Sequence, residues 1–220
     1  MRKENRLILA LDETECEKAV NIAQKVNKYV DAIKINYPLV LSSGLEIVRR
    51  ISTLNDVICD FKVADIPNTN RLIAEQAFSM GAKGLIVHAF TGSDSLQACI
   101  EVAKKYDASV YVVVEMSHPG ALEFIQERTD DFAKLAVKCG AQGVIAPATR
   151  PERIAHIRKL VGELQILSPG VGVQGGCAKE AVANGADYVI VGRSIYTAKE
   201  PDEIACKLIH EIKEGLKERT

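Results

Sequence analysis

Long hydrophobic runs and an excess of either charge are lacking in this sequence. No apolar run approaches the ~18–20 residues that a membrane-spanning helix needs. The first residues, MRKENRLILALD, hold one short apolar stretch that ends in an acid, which predicts a strand and not a signal peptide. The 28 Lys and Arg residues nearly balance the 29 Asp and Glu residues, for a net charge of −1. This balance argues against a protein dedicated to nucleic acids or membrane surfaces.

The cysteine pattern also lacks any sign of pairing. The sequence contains no C-x-x-C and no paired histidines, so neither a disulfide framework nor a zinc site is indicated. We therefore expect free thiols in a reducing cytoplasm. The six cysteines concerned are Cys16, Cys59, Cys99, Cys139, Cys177 and Cys206.

Eight short apolar runs recur along the chain. Their centres are rich in β-branched residues and almost continuously hydrophobic, which favours parallel strands covered on both faces. The predicted strands are Arg6–Leu11, Ala32–Asn36, Val57–Phe61, Gly84–His88, Val110–Glu115, Gly143–Ala146, Gln165–Ser168 and Tyr188–Val191.

Amphipathic stretches separate these runs and predict helices. The clearest are Glu13–Asn27, Asn68–Met80, Thr129–Cys139, Arg150–Leu160 and Asp202–Lys217. Eight strands with crossovers and no long linker predict a single-domain (β/α)8 barrel over residues 1–220. A doubly wound open sheet is the alternative, but the G-x-G-x-x-G turn that such sheets carry after the first strand is missing.

Charged residues cluster where the first three strands end, which is where such barrels carry their function. Asp60 and Lys62, in CDFKVADIPNTN, are two residues apart and therefore share one face of the strand. Asp65 follows in the loop, while Lys34 and Asp12 lie near the ends of the second and first strands. A buried ion-pair network without chemistry is the alternative, but the position at the barrel mouth favours a functional cluster.

Two later loops predict a phosphate site. The seventh and eighth strands end in SPGVGVQGG and VGRSIY, the loops that hold a substrate phosphate in many barrels. The glycines let backbone amides approach an anion, Gln174 adds a neutral donor, and Arg193 offers a rigid fork of donors. A surface turn beside a solvated charge is the alternative for this region.

The fifth strand ends in EMSHPG. Ser117 and His118 are adjacent and point in different directions, so they make a poor nucleophile–base pair. We expect Ser117 to hydrogen-bond a polar edge of a substrate and His118 to order the loop. His88, at the end of the fourth strand, fits either a barrel-mouth residue or a core histidine.

Taken together, these motifs resemble the orotidine 5′-monophosphate decarboxylase family. DFKVADIPNTN is similar to the family signature, and ILALD, IKINYP, EMSHPG, SPGVGVQGG and VGRSIY follow in the family's order between Arg6 and Tyr196. The resemblance implies a (β/α)8 barrel that converts orotidine 5′-monophosphate (OMP) to UMP and carbon dioxide, the last step of de novo UMP synthesis. It also implies that no cofactor and no metal are needed.

The resemblance further implies the catalytic roles. Lys62 would give a proton to C6 of the pyrimidine, and Asp60 would sit beside the departing carboxylate. Lys34 would hold Asp60 and the ribose hydroxyls. Asp65 and Thr69 would reach into the neighbouring subunit's site, which makes the expected protein a homodimer.

The substrate-binding roles follow in the same way. The resemblance implies that Asp12 binds the ribose, Ser117 contacts the pyrimidine, and Gln174 and Arg193 bind the phosphate. The loop after the seventh strand would close as a lid. Pro169 and Gly192, from the two phosphate loops, complete the predicted substrate-binding set.

Other activities stay open from the residues alone. A magnesium-dependent decarboxylase of a keto-sugar phosphate shares the Asp-x-Lys-x-x-Asp core, although not the Ile-Pro, MSHPG and SPGVGVQGG motifs. An isomerase or epimerase would use Asp60 as a base, and a non-catalytic barrel would only bind a ligand. The paired lysines and the motifs of the second half argue against the isomerase or epimerase, and the ordered charges argue against a barrel that only binds a ligand.

Overall fold

The computed structural model describes residues 3–219 and shows a closed barrel of eight parallel strands. The strands follow one another around the barrel in chain order, and β8 closes it against β1. This confirms the predicted (β/α)8 architecture. The strands are β1 Leu7–Leu11, β2 Ala32–Asn36, β3 Val57–Val63, β4 Gly84–His88, β5 Ser109–Val113, β6 Gly143–Ile145, β7 Gln165–Pro169 and β8 Tyr188–Val191.

Helices lie between the strands and form the outer layer. They are α1 Cys16–Val26, α2 Tyr37–Ser43, α3 Glu46–Ser52, α4 Pro67–Ser79, α5 Ser93–Lys105, α6 Thr129–Cys139, α7 Pro151–Val161, α8 Ala178–Ala183, α9 Arg193–Tyr196 and α10 Pro201–Glu218, with short 3-10 turns at Pro119–Leu122 and Gln126–Arg128. No helix among residues 3–219 is both long enough and apolar enough to cross a membrane.

Several predicted boundaries are wrong by a few residues. The predicted helix Glu13–Asn27 begins only at Cys16, because the Glu15 carboxylate accepts the N–H groups of Glu17 and Lys18 and so caps the helix there. The fifth strand ends at Val113 and not at residue 115.

Two hydrophobic layers hold the barrel together. One lies between the strands and the helices, and the other fills the barrel interior, where Tyr111 and Tyr188 are the largest buried side chains. A Cβ on Gly84 or Gly143 would lie 3.0 Å from the Tyr111 ring, so these two strands need glycine to accommodate it. Side chains therefore fill the barrel interior, and the space for a ligand lies at the C-terminal ends of the strands.

Candidate active site

A cavity of about 290 Å³ opens at the C-terminal ends of the strands. This is the end of the barrel where function was expected. Nine of the predicted site residues line the cavity, namely Asp12, Lys34, Asp60, Lys62, Ser117, Pro169, Gln174, Gly192 and Arg193. Asp65 and Thr69 lie outside it.

Asp60 forms the buried centre of a three-residue ion-pair cluster. Lys34 Nζ donates to its Oδ2 and Lys62 Nζ to its Oδ1, each at 2.8 Å. The side chains of Asp60 and Lys34 are each 7% exposed, whereas that of Lys62 is 33% exposed. Burial alone would raise the pKa of Asp60, but the positive charges of Lys34 and Lys62 outweigh it and hold that pKa below its usual value. Asp60 is therefore ionised near neutral pH, and Lys62 lines the cavity beside it.

The end of β3 departs from a regular strand at this cluster. Cys59 pairs with Leu85 of β4, but the pairing then shifts so that Val63 opposes Val87. Lys62 adopts a positive φ of 43°, a backbone region that residues with a side chain rarely occupy and that recurs at functional sites. The alternation of faces survives the irregularity, because Asp60 and Lys62 both line the cavity. Their predicted common face is thus confirmed.

His88, at the end of β4, lies beside the cluster without lining the cavity. Its ring packs against Phe90 with centroids 4.9 Å apart. Burial, followed by the positive charge of Lys62, lowers the pKa of His88 to about 4. The imidazole is therefore neutral near pH 7 and adds no second cation beside Lys62.

The loop after β7 folds into a compact turn over the cavity. The N–H of Gly172 donates to the carbonyl of Gly176 at 3.0 Å, and that of Gly175 to the carbonyl of Gly172 at 2.7 Å. A Cβ on Gly176 would lie 2.7 Å from the carbonyl oxygen of Gly170, so the turn closes too tightly for a side chain there. The Ser117 hydroxyl donates to Gln174 Oε1 at 2.8 Å, which joins this loop to the loop after β5.

Arg193 lies at the rim of the same side of the cavity. It begins α9 immediately after Gly192 and is exposed. Its guanidinium has no ion-pair partner among residues 3–219, unlike the lysines of the buried cluster. The cavity therefore combines an unpaired cation and glycine-rich backbone at its rim with neutralised charges at depth, an arrangement that suits an anionic group on the outer part of a ligand.

A second buried network holds the loop after β5, and the sequence interpretation missed it. The fully buried Glu115 accepts from Arg150 Nε at 3.2 Å and from Arg153 Nε at 2.9 Å. Arg150 also donates to the carbonyl oxygen of Met116. These contacts fix the backbone beside Ser117. The two arginines in the sequence TRPER do not reveal that they pair with Glu115, because Glu115 lies 35 residues before Arg150 in the chain.

Asp12 lines the cavity, and its carboxylate has an unfilled acceptor position. Its Oδ1 is buried and has no hydrogen-bond partner in the structure. A buried acceptor without a donor is costly, and such an atom at a cavity wall is suited to bind a hydroxyl of a ligand.

Asp65 lies on the β3–α4 connection and Thr69 lies within α4, and neither lines the cavity of its own barrel. Asp65 is exposed, and its Oδ1 accepts the N–H of Ile66 at 2.7 Å. Thr69 is part of the first turn of α4. One chain does not test whether the two residues reach a neighbouring site, so that role stays a prediction.

The residues described do not assemble a metal site. Within residues 3–219, no group of three or more His, Cys, Asp or Glu side chains is arranged to hold a metal ion. Both oxygens of Asp60 already accept hydrogen bonds from lysines. All six cysteines are free thiols.

The fold and the cavity define a class of protein: a (β/α)8 barrel with a Lys–Asp–Lys cluster beneath a glycine-rich loop, at the end of the barrel where such enzymes bind their substrates. The sequence profile described as "Orotidine 5'-phosphate decarboxylase / HUMPS family" matches residues 5–208. The chain belongs to this family.

Relatives resemble the chain along nearly its whole length. Orotidine 5′-phosphate decarboxylase of Methanosarcina mazei is 57% identical over 218 residues, which cover 99% of both chains. The crystal structure of the Pyrococcus horikoshii orotidine 5′-phosphate decarboxylase has a TM-score of 0.88 and 51% identity, covering 94% of this chain and 99% of that one. The Methanocaldococcus jannaschii orotidine 5′-monophosphate decarboxylase, solved in complex with the inhibitor BMP, has a TM-score of 0.90 and 46% identity, covering 94% and 97% of the two chains.

Proposed function

We propose that this chain is a carboxy-lyase that converts OMP to UMP and carbon dioxide in pyrimidine biosynthesis. The observation that carries the proposal is the buried Asp60, held between Lys34 and Lys62 at 2.8 Å from each, below a phosphate-type rim. The family match and the relatives' activity support the same reaction. The free thiols suit a reducing cytoplasm, where we place the reaction.

The chemical step needs a positive charge beside C6. When the bond between C6 and the carboxylate breaks, carbon dioxide leaves and the electron pair stays on C6, in the ring plane where the π system cannot delocalise it. The Lys62 ammonium stabilises this carbanion and then gives it a proton, which Lys62 regains from water. The cluster supports this role because Asp60 holds the ammonium in one place before the substrate arrives.

Asp60 contributes in two ways. It fixes Lys62, and its negative charge lies near the substrate carboxylate, so that repulsion eases as carbon dioxide forms. We assign the larger share of the rate to the preorganised positive charge, because its interaction grows as the carbanion forms. Lys34 keeps Asp60 ionised despite its burial.

The phosphate is bound at the rim and takes no part in the chemistry. Arg193 and Gln174 bind it, and the loop after β7 closes over the nucleotide. Ser117 hydrogen-bonds the polar edge of the pyrimidine, and Asp12 and Lys34 bind the ribose hydroxyls. Pro169 and Gly192 line the cavity beside the substrate. Binding energy from the phosphate then holds the ring against Lys62.

The working form is a homodimer in which Asp65 and Thr69 complete the partner's site. The surface beside them supports this arrangement, because three large apolar side chains are exposed there. Ile66, which directly precedes α4, is 64% exposed, Leu72 on α4 is 57% exposed, and Phe90, two residues after β4, is 59% exposed. Exposed apolar patches of this kind mark protein–protein contacts.

The reaction is tested by incubating the purified protein with OMP and following the pyrimidine absorbance together with UMP release. We expect UMP to form at the same rate with and without a metal chelator. Chelator-resistant release of UMP would exclude a magnesium-dependent decarboxylase of a keto-sugar phosphate. No UMP under either condition would refute the proposed activity.

The dimer is tested by mixing two inactive variants, Asp65→Ala and Lys62→Ala. If Asp65 acts across the interface, each mixed dimer contains one barrel with its own Lys62 and the other subunit's Asp65. Random exchange then restores about a quarter of the wild-type activity, since half the dimers are mixed and each has one intact site. Subunit exchange is confirmed separately with tagged subunits. If exchange occurs and no activity returns, a shared site is contradicted.

A further inference from the structure

Asn36 faces the cavity but has no part in the roles described above. It is the last residue of β2, in phase with Lys34 two residues earlier, and its Cα pairs in register with that of Asp60. It is half-buried and lines the same cavity wall. A polar side chain in this position sits beside the catalytic cluster.

The orientation of the Asn36 amide is fixed by the start of α2. Its Oδ1 accepts the N–H of Tyr37 at 2.7 Å and caps the helix. The Tyr37 ring in turn stacks on Phe61 with centroids 5.2 Å apart, which anchors this first turn. The oxygen is therefore committed to the backbone, and the Nδ2 group is left as a donor with no partner among residues 3–219.

The neighbouring groups complement this donor. Asp12 presents a buried acceptor without a partner, and Lys34 Nζ spends one of its three protons on Asp60. A sugar hydroxyl can donate to one group and accept from another at once. This wall, built by the ends of β1 and β2, therefore matches the hydroxyls of a ribose that joins a base near Lys62 to a phosphate near Arg193.

We infer that Asn36 is a further substrate-binding residue whose Nδ2 donates to a ribose hydroxyl of the nucleotide. The inference rests on the proposed function, since it assigns a contact to the same ligand. Because this donor serves a hydroxyl and nothing else in the cavity, Asn36 contributes to discrimination between ribonucleotides and deoxyribonucleotides.

The test is calorimetric binding of UMP, 2′-deoxy-UMP and 3′-deoxy-UMP to the wild type and to two variants. Asn36→Ala removes the donor and the cap, whereas Asn36→Asp keeps the cap oxygen and removes the donor. For both variants we expect UMP to bind about 3- to 10-fold more weakly, the usual loss for one hydrogen bond. The deoxy analogue that lacks the contacted hydroxyl should bind Asn36→Ala about as well as it binds the wild type. The ribose selectivity, which is the ratio of UMP affinity to the affinity for that analogue, therefore falls by the same factor as the UMP affinity.

Asn184→Ala is the matched control. Asn184 directly follows α8, outside the cavity, and its side chain donates to the carbonyl of Glu180, so its loss leaves the ribose selectivity unchanged. The inference would be overturned if Asn36→Ala and Asn36→Asp both kept the wild-type preference for UMP over each deoxy analogue. This outcome counts only if both variants unfold near the wild-type temperature. Because binding is measured and not turnover, a chain that binds UMP yet fails to decarboxylate OMP refutes the proposed activity and still tests Asn36.

Discussion

Replacing Lys34 by methionine should destabilise the fold in a way that depends on pH. The variant leaves Oδ2 of Asp60 without its 2.8 Å partner in a site where the carboxylate is 7% exposed. Removing one partner of a buried ion pair costs about 3–5 kcal/mol, and here the buried carboxylate keeps Lys62 as its remaining ion-pair partner. For a chain of this size the unfolding temperature should fall by roughly 6–20 °C.

The pH dependence follows from the pKa of Asp60. In the wild type this pKa is lowered, so the stabilisation is fully present above the unfolded value of about 3.9 and is lost as the pH falls through the folded value. In Lys34→Met, only Lys62 opposes the effect of burial, and the pKa of Asp60 rises relative to the wild type. The difference in unfolding free energy between the two proteins should therefore be largest near pH 7 and shrink as the pH falls toward and below 4.

Urea unfolding at 25 °C across pH 4–8 measures this difference. Lys179→Met is the matched control, because Lys179 also contacts a carboxylate, that of Glu218 at 2.7 Å, but both side chains are exposed, by 37% and 56%. Exposed pairs contribute little, so this control should change stability only slightly. If Lys34→Met behaved like Lys179→Met, or lost the same stability at every pH, the reasoning about the buried cluster would be refuted.

Two further predictions concern the rim of the cavity. Arg193→Ala should raise the KM for OMP strongly. Binding of a substrate that lacks the phosphate should stay as weak as it is in the wild type. An unchanged KM for OMP would show that the phosphate binds elsewhere. In Gly176→Ala, the new Cβ would lie 2.7 Å from the backbone carbonyl oxygen of Gly170, which cannot rotate aside, so the loop should be displaced. The KM should therefore rise beyond that of Gly175→Ala, where a Cβ meets nothing within 4 Å and only the positive φ is strained. Equal KM values for the two glycine variants would contradict a loop that must close tightly to bind the substrate.

The barrel and most of its site were predictable because both follow from local patterns. Eight apolar runs gave the strands, and the period of two along β2 and β3 placed Lys34, Asp60 and Lys62 on the cavity face. The irregular end of β3 was not predictable in this way. The positive φ of Lys62 and the shifted pairing with β4 depend on tertiary packing, which alternation of residue types does not encode.

Contacts between distant segments were the other gap. Glu115 was assigned to the fifth strand, yet it lies beyond the strand end and binds Arg150 and Arg153 from the following α/β unit. Asn36 read as an ordinary strand residue, because its cap on α2 appears only once the following helix is known. Single charged or amide residues do not reveal their partners until the fold brings the segments together.

The role of Lys62 is tested most directly by the turnover of Lys62→Ala at saturating OMP, beside Lys25→Ala as a control on the exposed face of α1. The account predicts a fall in kcat of at least ~10²-fold for Lys62→Ala, with the fold and UMP binding retained, because the group that stabilises the carbanion and supplies the proton is gone. Lys25→Ala should keep the wild-type kcat. Turnover by Lys62→Ala near that of the wild type would contradict the central claim.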